Sequence, residues 1–197
     1  MELLVTGGPG ALARFEVLFE PADLASWVEQ SRLAPGLELT LTDGDVAALR
    51  TLRDALQPIA SDRVHGRPLD PVHLAVVNAA AAGAPLAARI TPDGGRAWAP
   101  GGTGPQLLAT VARDAVDLLT GPYADRIREC GSDNCQLLFV DTSRPGRRRW
   151  CAMEHCGNLH KVRSHRAHLA DRTRPARTDQ ADQTDERDSA SAADRSS

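Results

Sequence analysis

The residues best suited to chemistry in this chain of 197 are its four cysteines, Cys130, Cys135, Cys151 and Cys156, which fall within 27 consecutive positions. Their spacing is C-x4-C, then fifteen residues, then C-x4-C. Each close pair supplies two thiolates from one turn, and the insert is long enough for a hairpin that returns the second pair to the first. Four thiolates close a tetrahedron and leave no open position, which fits one structural zinc ion (Zn2+) best. Two disulfides, four unrelated buried free cysteines and a four-thiolate iron site are the competing readings, and chance clustering of four free cysteines within 27 residues is improbable. The N-terminus lacks a secretion pattern, which favours reduced thiols, and x4 loops suit the tight knuckles of an iron site less well.

Elements that would position these ligands surround them. Residues Arg126–Glu129 and Leu137–Asp141 read as strands, and Arg148–Cys151 is expected to pair with the latter across a turn at Thr142–Gly146. A helix is expected from about Cys156 to Leu169. Knuckle, hairpin, then helix is the order of a treble-clef finger. Zinc would contribute much of its folding free energy, about 10–16 kcal/mol in small zinc peptides.

Charge singles out the same region. Net charge is −3 over the whole chain, but residues 126–168 hold nine Lys/Arg and four Asp/Glu, a balance of +5. Residues 1–125 balance to −6 and residues 169–197 to −2. Lys161 is the only lysine, so the arginine richness is partly compositional, and Zn2+ with four thiolates formally reduces the local excess to +3. The candidate nucleic-acid contacts are Arg144, Arg147, Arg148 and Arg149 around the turn, with Lys161, Arg163 and Arg166 on the helix. Guanidinium forks suit phosphates and guanine edges, whereas a merely solvated basic face is the bland alternative.

Upstream, the pattern is mainly helical. Helices are expected over 21–33 (Pro21 and Asp23 in the first turn, Leu24, Trp27 and Val28 on one face) and from a Thr42/Asp45 capping box through Leu56, with Pro58 ending or kinking the second. Arg50, Arg53 and Asp54 lie off that helix's apolar stripe and read as solvated. Asp70-Pro71 opens a third helix that Gly83 closes, and a fourth is expected over 103–120 with Leu108, Val111, Ala115, Leu118 and Leu119 as its stripe. Between them, Leu86, Ala88 and Ile90, then Pro92-Asp93-Gly94-Gly95, then Trp98 make a hairpin pattern. Residues 1–19 give weaker signals: a strand start at Leu3–Val5, a Gly7–Gly10 turn, and a strand-like alternation of Phe15, Val17 and Phe19.

The fold class expected is therefore α+β. A mainly helical domain with a β-hairpin spans 1–125, a treble-clef-like four-cysteine zinc finger 126–170, and a tail 171–197, which is too poor in large apolar residues to order itself. No apolar run approaches the roughly 20 residues that span a bilayer, so a cytoplasmic protein without membrane partners is expected. No Ser-His-Asp or Cys-His arrangement supports catalysis, so an enzyme is not expected.

Residues 130–168 resemble the CGNR zinc-finger proteins that carry an N-terminal ABATE domain. The resemblance is carried by Leu138-Phe139-Val140-Asp141-Thr142-Ser143-Arg144, Arg148-Arg149-Trp150-Cys151, Met153, Cys156-Gly157-Asn158, Lys161-Val162-Arg163 and His165-Arg166. A looser likeness extends upstream through Pro21–Trp27 and the Pro92–Gly95 turn. Leu159 stands where the family's eponymous arginine would, and residues 1–19 lack the family's usual opening. That family is regarded as bacterial, stress-linked transcription regulators, so the resemblance implies DNA as the partner and a DNA-binding regulatory role. A zinc-stabilised protein-interaction module without nucleic-acid contact is the alternative.

Overall fold

A computed structural model describes residues 1–33, 36–133, 135–158 and 160–163. The chain divides into two units, Met1–His160 and Lys161–Ser197. In the second unit only Lys161–Arg163 are described, and these are helical and exposed. The expected tail at 171–197 lies outside the described residues, as do His165, Arg166 and Leu159.

Four helices form the bulk of the first unit: α1 (Pro21–Gln30), α2 (Asp43–Val64), α3 (Pro71–Ala81) and α4 (Gly104–Thr120). Their starts follow from capping chemistry that the sequence displays. Asp45 Oδ2 accepts the Thr42 N–H at 2.8 Å, Asp70 accepts from Val72 N–H at 2.8 Å, and Gln106 Oε1 accepts from Thr103 N–H at 3.1 Å. Asp23 closes the α1 entrance by accepting the N–H groups of Phe19 and Glu20. Short strands join the helices. Strand β1 (Leu39–Thr40) pairs in parallel with β4 (Gly102–Thr103), so α2 and α4 start side by side. A Cβ on Gly104 would collide with the Asp45 carboxylate, so this approach requires glycine. The expected hairpin is β2 (Ala88–Ile90) against β3 (Arg96–Trp98), in register Ala88↔Trp98.

The core lies among α2, α3 and α4, with Leu24 and Val28 of α1 added. Leu49, Leu52, Ile59 and Leu107 are among its large, fully buried side chains, and Trp98 joins by donating its indole N–H to Leu33 O at 2.7 Å. Trp27 is half-buried against the same core. The α+β class, mainly helical with small sheets, is thus the observed one.

Several expectations differ from the structure. Pro58 does not end α2, which continues to Val64. A missing N–H and a ring clash inside a helix cost about 3 kcal/mol. Ile59 and Ala60, each 2% exposed directly after Pro58, bury apolar surface that offsets this. The α4 stripe is centred on Leu107, Ala109 and Ala112, all at 0% exposure, rather than on Leu108 and Leu118.

Residues 1–19 form no strand. They make 3-10 turns at Glu2–Val5 and Gly10–Phe15, with Leu3, Leu4 and Leu12 buried. Phe15, Val17 and Phe19 face solvent, while Leu18 is fully buried and Glu16 turns inward.

Glu16 meets the largest departure, Arg53. That side chain is 1% exposed, not solvated. Its Nη1 and Nη2 donate to the two Glu16 carboxylate oxygens at 2.9 and 2.7 Å, and its Nε donates to Asp54 at 2.9 Å. Gly7 makes room: at φ +135°, its added Cβ would lie 2.8 Å from Glu16 Cα and 3.0 Å from Arg53 Nη1. Hydrogen bonds from Arg53 hold the Glu16 carboxyl below its ordinary value.

Candidate metal centre

After α4, a 3-10 turn at Ala124–Arg126 leads into β5 (Ile127–Glu129), which pairs antiparallel with β6 (Leu138–Val140). The ladder is extended by Cys130 N–H to Leu137 O at 2.9 Å, and this bond closes the first knuckle loop. Within that loop Cys135 N–H bonds Ser132 O, and Gln136 takes φ 58°, the left-handed turn that reverses the chain. Asp141 N–H to Arg126 O continues the pairing at the opposite end.

The segment Arg148–Cys151, expected to pair with 137–141, runs instead beside the first knuckle. Gly131 N–H donates to Arg149 O at 2.9 Å, and Cys151 N–H points at Cys130 Sγ at 3.4 Å. The reason is local to Gly131 and Trp150. A Cβ at Gly131 would already stand 3.3 Å from both Arg149 O and the Trp150 ring, so this close approach favours glycine. Strand β6 meanwhile has β5 as its partner.

The fourth ligand comes from a π turn, Met153–Gly157, with helical residues following at 158 and 160. Gly157 admits Met153 and Trp150, whose atoms would lie 2.8 and 3.4 Å from its Cβ, and Trp150 packs on His160 with ring centroids 4.6 Å apart. The remainder of the helix expected to Leu169 lies outside the described residues.

These elements bring all four cysteines together. Their Sγ atoms lie within 4.8 Å of one another, and Cys135–Cys151 and Cys151–Cys156 are each 3.6 Å apart. A disulfide would need about 2.05 Å. The edge of a tetrahedron with Zn–S bonds of about 2.3 Å is about 3.8 Å. All four are free thiols, two buried and two half-buried, and Phe139 and Trp150 pack around them.

Burial pushes the Cys135 thiol up to about 11, and burial with the neighbouring thiols pushes Cys151 up as well. Burial opposes ionisation at Cys130 too, but N–H groups of Cys151 and Ser132 outweigh it and hold that thiol below its ordinary value. Sulfurs crowded this closely are stabilised as thiolates by a cation at their centre. Donor type, separation and closure fit one structural zinc ion, held by Cys130, Cys135, Cys151 and Cys156.

A buried carboxylate missed in the sequence organises the outer loop. Asp141 is fully buried; its Oδ1 accepts from Ser143 N–H and Oγ at 2.9 and 2.6 Å, and its Oδ2 accepts from Arg148 N–H at 2.9 Å. The Ser143 bonds, then those to backbone N–H groups, hold its carboxyl below the ordinary value. Arg126 Nη1 donates to the carbonyls of Asp141 and Ser143 at 3.1 and 2.9 Å. The available signal was Asp141-Thr142-Ser143, since a short acceptor side chain two residues before a turn serine makes an Asx-type turn. Gly146, at φ 61°, completes the turn with its N–H on Ser143 O.

The predicted basic residues divide. Arg144 and Arg147 are exposed and make no ion pair among the described residues. Arg149 is exposed, with its guanidinium 5.1 Å from the Trp150 ring. Arg148 is engaged: its guanidinium lies 4.8 Å from the Phe139 ring and donates to the Trp150 and Cys151 carbonyls. Lys161 and Arg163 are exposed in the second unit, and Arg166 lies outside the described residues.

Comparison with known families gives two matches. Residues 1–122 match the ABATE family, described as "putative stress-induced transcription regulator", and residues 126–168 match the CGNR zinc finger. Comparison with curated proteins found no match. The chain belongs to the ABATE family and carries a CGNR zinc finger.

Proposed function

We propose that this ABATE-family chain is a cytoplasmic, non-enzymatic regulator of stress-responsive transcription that binds DNA through its zinc finger. One observation carries the reading. A closed metal centre and the Asp141 carboxylate hold a loop on which Arg144, Arg147 and Arg149 are exposed. That loop lies in the one stretch of net positive charge, +5 over residues 126–168. Phosphates are bound well by guanidinium groups whose backbone is already fixed, because little ordering remains to be done on contact. Arg148 serves the platform through its carbonyl contacts, while Lys161, Arg163 and Arg166 extend the basic set. Four protein thiolates leave the ion no position for substrate, which supports a non-catalytic role. Among the described residues no helix is long and apolar enough to cross a membrane.

The test is fluorescence anisotropy of zinc-loaded, full-length protein on duplex DNA, followed by selection of bound sequences. Log affinity should fall with log salt by about 0.9 per phosphate neutralised. Reversing Arg144, Arg147 and Arg149 to Glu should weaken binding on all sequences and reduce the slope by about 1 for each phosphate left without its arginine. Absence of binding at low salt, together with no sites in genome-wide crosslinking, would overturn the reading. Protein-partner capture that survives the same charge reversal would then favour an interaction module.

A further inference from the structure

Helices α2, α3 and α4 border an open-sided cleft of about 130 Å3 that the metal centre does not use. Ile59 and Val77, 2% and 3% exposed, contribute buried apolar surface, and Leu74 and Leu119 add half-buried surface. An engineered apolar cavity of about 150 Å3 accommodates benzene, so one ring or a short aliphatic chain matches this space.

Three polar side chains also line it, one of them Thr120, whose hydroxyl donates to Val116 O at 2.8 Å. Arg63 is its only cationic lining residue, and the Asn78 side-chain amide makes no hydrogen bond among the described residues. Arg63 Nη2 is 3.5 Å from Asp125 Oδ1, a long contact to a side chain that is 98% exposed. Solvent-exposed pairs of this kind contribute little, so the guanidinium can exchange partners at small cost.

We propose that this cleft binds a small apolar monocarboxylate, with its carboxylate on Arg63 and Asn78 and its body against Ile59, Leu74, Val77 and Leu119. One guanidinium matches one carboxylate as a fork on a fork, whereas a phosphate ester would leave more charge than a single arginine balances. Occupancy draws Arg63 away from Asp125. The next residue, Arg126, holds the Asp141 and Ser143 carbonyls of the metal-centre loop. Any effect on DNA binding rests on the function proposed above; ligand binding itself does not.

Titration calorimetry of the zinc-loaded full chain with benzoate and hexanoate, and with hexanamide as the uncharged control, tests this without DNA. At least one acid should bind saturably at one site, and Arg63→Met should weaken it at least about tenfold, as loss of a charge-assisted pair requires. Hexanamide should bind at least about tenfold more weakly than hexanoate. The proposal fails if neither acid binds below about 10 mM. It also fails if Arg63→Met leaves affinity unchanged or if hexanamide equals hexanoate.

Discussion

The helical region and the metal centre are held by different physics, and strand β6 contributes side chains to both. The first buries a continuous set of Leu, Val and Ala side chains, with Leu18 and Leu107 wholly enclosed, and needs no ion. Among the described residues the second buries only Cys130, Phe139 and Cys156 as its own cluster, too little apolar surface to order a knuckle, a loop and a π turn. Strand β6 serves both. Leu138 belongs to the helical core and Phe139 to the metal cluster, because successive side chains of a strand point to opposite faces. The finger is therefore not simply appended: Leu138 anchors its hairpin in the helical core.

Removing zinc should separate the two regions most widely. Chelation, or Cys156→Ala, should remove binding free energy on the order of 10–16 kcal/mol from the metal centre. Hydrogen exchange should then rise sharply over 130–158, while α1–α4 keep their helical circular dichroism and protection. Simultaneous melting of both regions would show that they share one source of stability.

The next effect belongs to the helical region. Arg53→Met should cost about 3 kcal/mol in denaturant unfolding, since it strips the two-pronged partner from the half-buried Glu16 carboxylate and leaves it Arg50 at 3.4 Å. Glu16 also sets an acid limit. Its folded-state value is depressed below the ordinary 4.5, so its stabilisation is present above that pH and is lost as pH falls through the depressed value. Glu16→Gln should flatten this acid dependence while zinc content stays unchanged; a fall in zinc content would tie the pair to the metal centre.

Leu138→Ala sharpens the boundary. It should cost about 2–5 kcal/mol as a core truncation and should also weaken zinc binding, measured by competition with a chromogenic chelator. Stability lost without any change in zinc affinity would show that Phe139 alone secures the strand to the metal centre.

Much of this was legible one residue at a time. Thr42, Asp70 and Gly83 mark helix ends because capping depends on nearest neighbours, and the four cysteines declare a metal site because thiolates converge for few other reasons. The pairing of β6 was not legible. Residues 148–151 were the expected neighbour, but residues 127–129 take that place, and Gly131 admits Arg149 and Trp150 beside the knuckle instead. Residues 1–19 misled because Phe15, Val17 and Phe19 alternate as a buried strand would, whereas Glu16 and Leu18 are the side chains the fold encloses.

The sequence by itself determined the helix order, the α+β class, the zinc ligands and the concentration of positive charge around them. These follow from short-range spacing and side-chain chemistry. Only the tertiary structure decided that Arg53 is buried, that Asp141 holds the loop, and that Arg148 clasps carbonyls while Arg144 and Arg147 stay exposed. A charged side chain has the same formula in water and in a core. What it does depends on the donors and acceptors that folding brings to it from elsewhere in the chain.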